Sequence, residues 1–458
     1  MKYIGDRKFY KRVLALLLPI LVQTGITNFV SMLDNLMIGR TGTAQIAGVA
    51  VGNQLLFVLN LCVFGMVSGA GILGAQFFGR GDREGFRSIL RFKLVAVVLL
   101  TAGATVLFLG AGEFLVSRFI NEEDPEVRAA AVGFARTYLF INLIGLLPYS
   151  LSQAFASSLR ETGKSVMPMA AGLCAVAVNL ILNYVLIFGK LGAPKLGVAG
   201  AAIATAASRF AEFGVIAVSL LVRRRSHPFI MGTLRTLRVP LGLVKQILTK
   251  SLPLVFNETM WALGMTVVAR QYSLRGLDVV TAYNIDMTVF NLFFVTFASL
   301  GSAGGIIVGQ RLGAGDMDGA KTDSYRLMGL TLVLGVLVSG AFAALSGAIP
   351  KLYNIEPEVR ALAARLMLIC ALTIPIEAIV NELYFIIRSG GQMSVTIIFD
   401  SGFTWVVLVP TVAILVRLTP LAVPLIYLID RLLTLLKTVL GAVIFRRGRW
   451  MQQLEIKL

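Results

Sequence analysis

Among the carboxylates inside apolar runs long enough to cross a bilayer are Asp34, Glu258, Asp286, Glu377 and Asp400. An Asp at the centre of a membrane helix costs about 2.5–3.5 kcal/mol on insertion scales, so each such group needs a partner or a task. Asn179 and Asn183 stand four apart and share one helix face, where their amides supply either neutral oxygens for a cation or hydrogen bonds between helices. Thr205 adds a hydroxyl in the next run. Tyr149 and Trp261 belong to the same set of runs, and aromatic faces beside carboxylates suit a lipophilic organic cation. Glu382 is a further acid at intermediate depth, and Arg209 and Glu212, three apart, are placed to pair on one helix face.

Other chemistry is missing its residue types. Cys62, Cys174 and Cys370 lie in separate apolar runs without metal-ligand or redox spacing and are expected to pack as small apolar groups. His227 is the one histidine, next to Pro228 in a basic loop, and is expected to be solvated. The glycine-rich stretches "FFGRGD" and "RLGAGD" lack the Lys-Ser/Thr of a phosphate-binding loop, and no His/Cys/Asp-rich metal motif occurs. An ATP-driven pump and a membrane-embedded enzyme are both disfavoured, and no cofactor is expected.

The elements that must hold these residues follow from composition. The 458 residues are 57% hydrophobic and 14% charged, against about a quarter charged in soluble proteins. A hydrocarbon core about 30 Å thick takes roughly 20 apolar residues per helix. Such runs occur near 13–38, 46–76, 92–113, 130–156, 166–189 and 196–222, and again near 248–271, 280–308, 326–350, 360–388, 393–417 and 421–445. The first run is as long as the later ones and shows no cleavage pattern, so it is expected to stay as a span.

The formal charge of +18 would suggest nucleic acid in a soluble protein. Here the basic residues sit in short loops, where they set topology: Lys2, Arg7, Lys8, Lys11 and Arg12; Arg80, Arg83, Arg87, Arg91 and Lys93; Arg223 to Lys250; and Arg446, Arg447 and Arg449. The alternate loops include acidic ones, around Glu122, Glu123 and Asp124 and around Glu356 and Glu358. Both termini are therefore expected in the cytoplasm.

The halves repeat. Pro19 and Pro253 stand 234 residues apart, as do Gln76 and Gln310, and "SGAGILGAQFFGRGD" (68–82) aligns with "SAGGIIVGQRLGAGD" (302–316). "PEVRA" occurs at 125–129 and 357–361, and "RETG" from Arg160 resembles "RSGG" from Arg388. Six spans per half is an even number, so the repeat is parallel. Aligning the halves sets Asp400 and Thr404 opposite Asn179 and Asn183. The expected fold is an all-α membrane protein of twelve helices in two pseudo-symmetric six-helix bundles around a central cavity: residues 1–222, a cytoplasmic linker 223–247, and residues 248–458. Gln76 and Gln310, ending the second and eighth spans, are expected to be architectural or gating residues.

Several stretches resemble those of MATE (multidrug and toxic compound extrusion) transporters: "SMLDNLMIGRTGT" (31–43), "GAQFFGRGD" (74–82), "NLILNYVLIFG" (179–189), "IIVGQRLGAGD" (306–316), and "IIRSGG" to "FDSGFTW" (386–405). The resemblance implies export of amphipathic, cationic organic compounds in exchange for Na⁺ or H⁺ across a bacterial plasma membrane, by a monomer. It further implies that Asp34, Asn179, Asn183 and Thr205 converge as a cation site, with no metal beyond a Na⁺ ion there. DinF-like members carry a second carboxylate where this chain has Asn183. Glu258 matches a cation-site carboxylate of NorM-like members, and with Asp286, Glu377 and Asp400 it is assigned to cation or substrate in an acidic cavity lined also by Tyr149 and Trp261. The alternative is a lipid-linked oligosaccharide flippase of the same superfamily, which would need a cationic cavity.

Overall fold

The computed structural model of the chain describes residues 3–120, 124–353 and 355–454; Lys2, Glu122 and Glu123 lie outside them. Among the described residues the long elements are twelve helices: α1 (Arg7–Gly39), α2 (Thr43–Arg80), α3 (Arg83–Phe119), α4 (Pro125–Glu161), α5 (Val166–Phe188), α6 (Val198–Val222), α7 (Leu241–Ser273), α8 (Leu277–Gly313), α9 (Met317–Leu345), α10 (Pro357–Ser389), α11 (Met393–Leu418) and α12 (Val423–Arg446). Eleven have the length and hydropathy of a membrane span. The twelfth, α12, has 24 residues, about 36 Å at 1.5 Å per residue, which is enough to cross. Its hydropathy is diluted by Asp430, Arg431 and Lys437. Large apolar side chains such as Leu99 (66% exposed) and Val106 (71%) on α3 point outward and have lipid as their solvent.

The helices outrun the apolar runs. α3 starts at Arg83, well before position 92, because Asp82 caps it: the carboxylate accepts from Gly85 N at 2.9 Å, satisfying an end amide that lacks a helical partner. Asp316 starts α9 at Met317 in the same way, accepting from Gly319 N at 2.9 Å. The two "PEVRA" stretches place Pro125 and Pro357 in the first turns of α4 and α10, where the missing N–H is harmless. α1, α4, α7 and α10 carry the interior prolines Pro19, Pro148, Pro253 and Pro375. Each removes one i→i−4 bond, and they fall in corresponding helices of the two halves.

α11 is not the unbroken helix expected over 393–417. Its middle widens into π turns at Ile398–Gly402 and Thr404–Leu408, a geometry frequent at functional sites, and Asp400 lies in the first of them.

The chain groups into two compact units. One holds Leu18–Gly74 and Asp82–Ser251; the other gathers residues 3–17, 75–81 and 252–454. In the first, α4 packs on α3 and α6, and α5 on α6; in the second, α10 packs on α8, α9 and α12. All three cysteines are free thiols, and Cys370 sits in the buried core of the second unit.

Two expectations change here. His227 is 6% exposed rather than solvated, because the segment after α6 folds back onto the start of α3. There Phe229 meets the Phe86 ring edge-on at 5.7 Å and Arg87 Nη2 donates to Pro228 O at 3.1 Å. Burial, reinforced by Lys164 and Arg223, pushes the imidazole pKa below its ordinary value. Lys93, counted among the loop charges, is 0% exposed: the capped start of α3 carries it inside, where Nζ meets Glu161 Oε1 at 2.5 Å and the Ser157 and Ser158 hydroxyls at 3.1 and 3.2 Å.

Candidate functional site

In the first unit, α1 carries Asp34 to the face of α5 that bears Asn179 and Asn183. Asn183 Nδ2 donates to Asp34 Oδ1 at 2.7 Å. The Asn179 oxygen is 3.1 Å from Asn183 Nδ2, and with that amide turned over its nitrogen donates to Asp34 Oδ1 and Oδ2 at 3.1 and 3.0 Å. The helical spacing of four puts both amides on the one carboxylate. Asn183 is 1% exposed, and its Oδ1 accepts no hydrogen bond although it is buried. An unpaired buried oxygen next to a carboxylate costs roughly 1–3 kcal/mol, and a small cation or a proton on the carboxylate would supply what is missing.

Thr205 stands one step away. Its hydroxyl donates to Ala201 O at 3.0 Å and interacts with Tyr138, whose own hydroxyl donates to Asn53 Oδ1 at 3.0 Å. The structure therefore brings three of the four residues together and leaves Thr205 beside Tyr138, which the sequence did not single out. Tyr149 has a different neighbour: the Arg209 guanidinium lies 4.1 Å from its ring centroid. Arg209 thus stacks on an aromatic face, and no ion pair joins it to Glu212 among the described residues.

In the second unit the four named acids form two separate networks. Glu258 Oε1 accepts from the Tyr384 hydroxyl at 2.9 Å and lies 3.9 Å from Arg388 Nη1. Asn257 Nδ2 donates to Asp400 Oδ2 at 3.0 Å and to the Tyr384 hydroxyl at 3.4 Å, linking the two acids. Asp400 Oδ1 is paired with Lys437 Nζ at 2.6 Å. The π turn fits this: Ser401 Oγ donates to Asn257 O at 2.8 Å, holding the widened backbone against α7.

The other network centres on Arg431. Asp286, 0% exposed, accepts a short hydrogen bond from the Tyr427 hydroxyl, to which Arg431 Nε donates at 2.8 Å. Arg431 lies 3.8 Å from Asp286 and 3.7 Å from Glu377, and Thr434 Oγ1 donates to Glu377 Oε1 at 2.9 Å. The acids expected to leave this half acidic are thus each matched by a base, Arg388, Lys437 or Arg431. Sequence reasoning passed over these bases, although a charge inside the twelfth apolar run signals a partner as clearly as an acid does. Trp261, 42% exposed on α7, makes no polar contact in either network.

Gln76 and Gln310 take structural roles within the second unit. Gln76 Nε2 donates to Ser389 O at 3.1 Å and Gln452 O at 3.2 Å, tying the chain's last segment to the ends of α2 and α10. Gln310 Oε1 accepts from Arg12 Nη2 at 2.6 Å. The repeat is reciprocal here: a Cβ on Gly79 would fall on the Gln310 carbonyl, and one on Gly313 on the Gln76 carbonyl.

The pattern of the MatE family matches residues 19–185 and 253–414, one segment for each half of the repeat. The chain belongs to the MatE family. It is a multi-pass membrane transporter, not an enzyme, and resembles "Probable multidrug resistance protein NorM" of Bacillus anthracis, with 27% identity over 420 residues and 89% of each chain covered. The protein of the same name from Bacillus cereus matches at the same identity, covering 89% of this chain and 88% of its own. Among solved structures, the outward-facing conformation of a multidrug resistance MATE transporter of the MOP superfamily superimposes with a TM-score of 0.87 at 18% identity, covering 98% of both chains. A MATE protein in complex with MaL6 gives 0.86 at 19%, over 98% of this chain and 97% of its own. At such identities these two show the fold of this MatE protein and no more.

Proposed function

We propose that this MatE protein is a secondary multidrug exporter that exchanges amphipathic, cationic organic compounds for Na⁺ or H⁺ by alternating access. The carrying observation is the Asp34 carboxylate facing the Asn183 and Asn179 amides, with Asn183 Oδ1 buried and unpaired beside it. Asp34 takes up the coupling ion; the amide oxygens, turned toward it, complete the shell for Na⁺, or the carboxyl takes a proton. The names of the Bacillus relatives support the drug substrate.

In the second half, Asp400 with Lys437 and Glu258 with Arg388 form the charge-matched set an organic cation would open, competing with the resident bases for the acids. Asp286 and Glu377 serve the same half through Arg431, and Trp261 offers an aromatic face. The basic residues of the loops support a reading in which both termini lie on the cytoplasmic side of a bacterial plasma membrane. The driving force is an ion gradient, about 2.3 kcal/mol per charge per 100 mV from potential alone.

The test is ethidium transport in proteoliposomes with the Na⁺ and pH gradients imposed separately. One gradient should drive transport, and Asp34→Asn should insert normally and abolish the response. Undiminished transport by Asp34→Asn would overturn the assignment. A second reading, a lipid-linked oligosaccharide flippase, draws on Arg388, Arg431 and Lys437, since a diphosphate needs cations. Each of these already faces an acid within 4.0 Å, which favours the first reading; a lipid-translocation assay separates the two.

A further inference from the structure

The first unit holds an apolar cavity of about 870 Å³ between the outer flanks of α2 and α3, and no network described above reaches it. Its wall on α3 runs from Phe92 past Leu99 and Phe108. From Phe92 to Phe108 that wall rises roughly 24 Å at 1.5 Å per residue, more than the ~15 Å that one leaflet contributes to the hydrocarbon core. The cavity is long, apolar along its length and open where Val58, Val95, Leu99 and Leu107 are exposed, as an acyl chain requires.

One end of it is different. Leu237 and Val239 of the linker and Val244 of α7 line the cavity, and they alternate in sequence with Arg235, Arg238 and Lys245, all exposed. No acidic residue lies between Glu212 and Glu258, and none of these three cations forms an ion pair among the described residues. The linker is held in place: Arg91 Nε donates to Thr233 O at 2.9 Å while its Nη1 bonds Glu84 at 2.6 Å, and Phe229 packs on Phe86.

We propose that this cavity binds an anionic phospholipid, its acyl chain lying along α2 and α3 and its phosphate between Arg235, Arg238 and Lys245. Charge complementarity selects the occupant: three unmatched cations at the mouth of an apolar groove favour a phosphate diester with no cationic headgroup and disfavour one carrying choline. The site is independent of the transport assignment, because binding is read without transport.

The full-length protein in detergent is titrated with phosphatidylglycerol or phosphatidylcholine of the same chains, reading bound lipid by native mass spectrometry and melting temperature in parallel. Phosphatidylglycerol should bind more tightly and raise the melting temperature. Arg235→Gln/Arg238→Gln/Lys245→Gln should weaken it by roughly fivefold per charge and leave phosphatidylcholine unchanged. Gly103→Phe, whose Cβ meets open space, should fill the groove and lose the lipid with all charges present. Equal binding of the two lipids, full retention by the triple variant, or a dimer that Gly103→Phe dissolves would each overturn the proposal. So would an equal loss in Arg446→Gln/Arg447→Gln, which would show general attraction to basic loops.

Discussion

Asn183 donates its amide to Asp34 at 2.7 Å from a helix 149 residues further along the chain, and with Asn179 it surrounds a membrane carboxylate with amides. A hydrogen bond to a charged group contributes about 1.5–3 kcal/mol, so Asn183→Ala should weaken the coupling ion by roughly tenfold or more. Asn183→Asp should instead add a second carboxylate and tighten a cation relative to a proton. Transport at varied Na⁺ and pH in proteoliposomes measures both; equal ion dependence in the two variants would remove Asn183 from the site.

Lys93 and Glu161 make a buried pair with two serine hydroxyls. Removing one partner of such a pair leaves a buried charge uncompensated and costs about 3–5 kcal/mol, whereas an apolar replacement of both is often neutral. Lys93→Met should therefore lower the melting temperature sharply, and Lys93→Met/Glu161→Leu should recover most of it. Thermal denaturation in detergent decides this, and a double variant no better than the single one would assign the loss to packing.

Gly313 and Gly79 lie where a methyl group would strike a carbonyl, those of Gln76 and Gln310, while Gly81 and Gly315 are needed for turning, with φ of 78° and 76°. Overpacking costs about 1–3 kcal/mol. Gly313→Ala should reduce stability by that amount, seen as a lower yield of monodisperse protein and a lower melting temperature, and Gly340→Ala, with open space at its Cβ, should have no such effect.

His227 has its pKa held below the ordinary 6.5 by burial, with Lys164 and Arg223 adding to it. The unfolded chain then binds more protons than the folded one between the two values, so stability rises with pH across that window. Acidification below about 6.5 should loosen the linker from α3, detected as faster proteolysis near Arg223–Arg225. His227→Gln should flatten that dependence.

The primary structure by itself determined the solvent, the number of crossings and the parallel repeat, because lipid demands about 20 apolar residues per helix locally and the duplicated Pro, Gly and Asp positions can be read without any contact. It also placed Asp34, Asn179 and Asn183 on surfaces that could meet. Tertiary structure alone decided which charges face one another. Lys93 finds Glu161, Asp400 finds Lys437, and Asp286 finds Arg431 across 37 to 145 residues of chain, since the low dielectric that forbids a lone charge also lets partners on any neighbouring helix satisfy it. Hydropathy records that a charge is costly at a given depth; only packing records which opposite charge offsets it, and that is why an acidic second half became a charge-matched one.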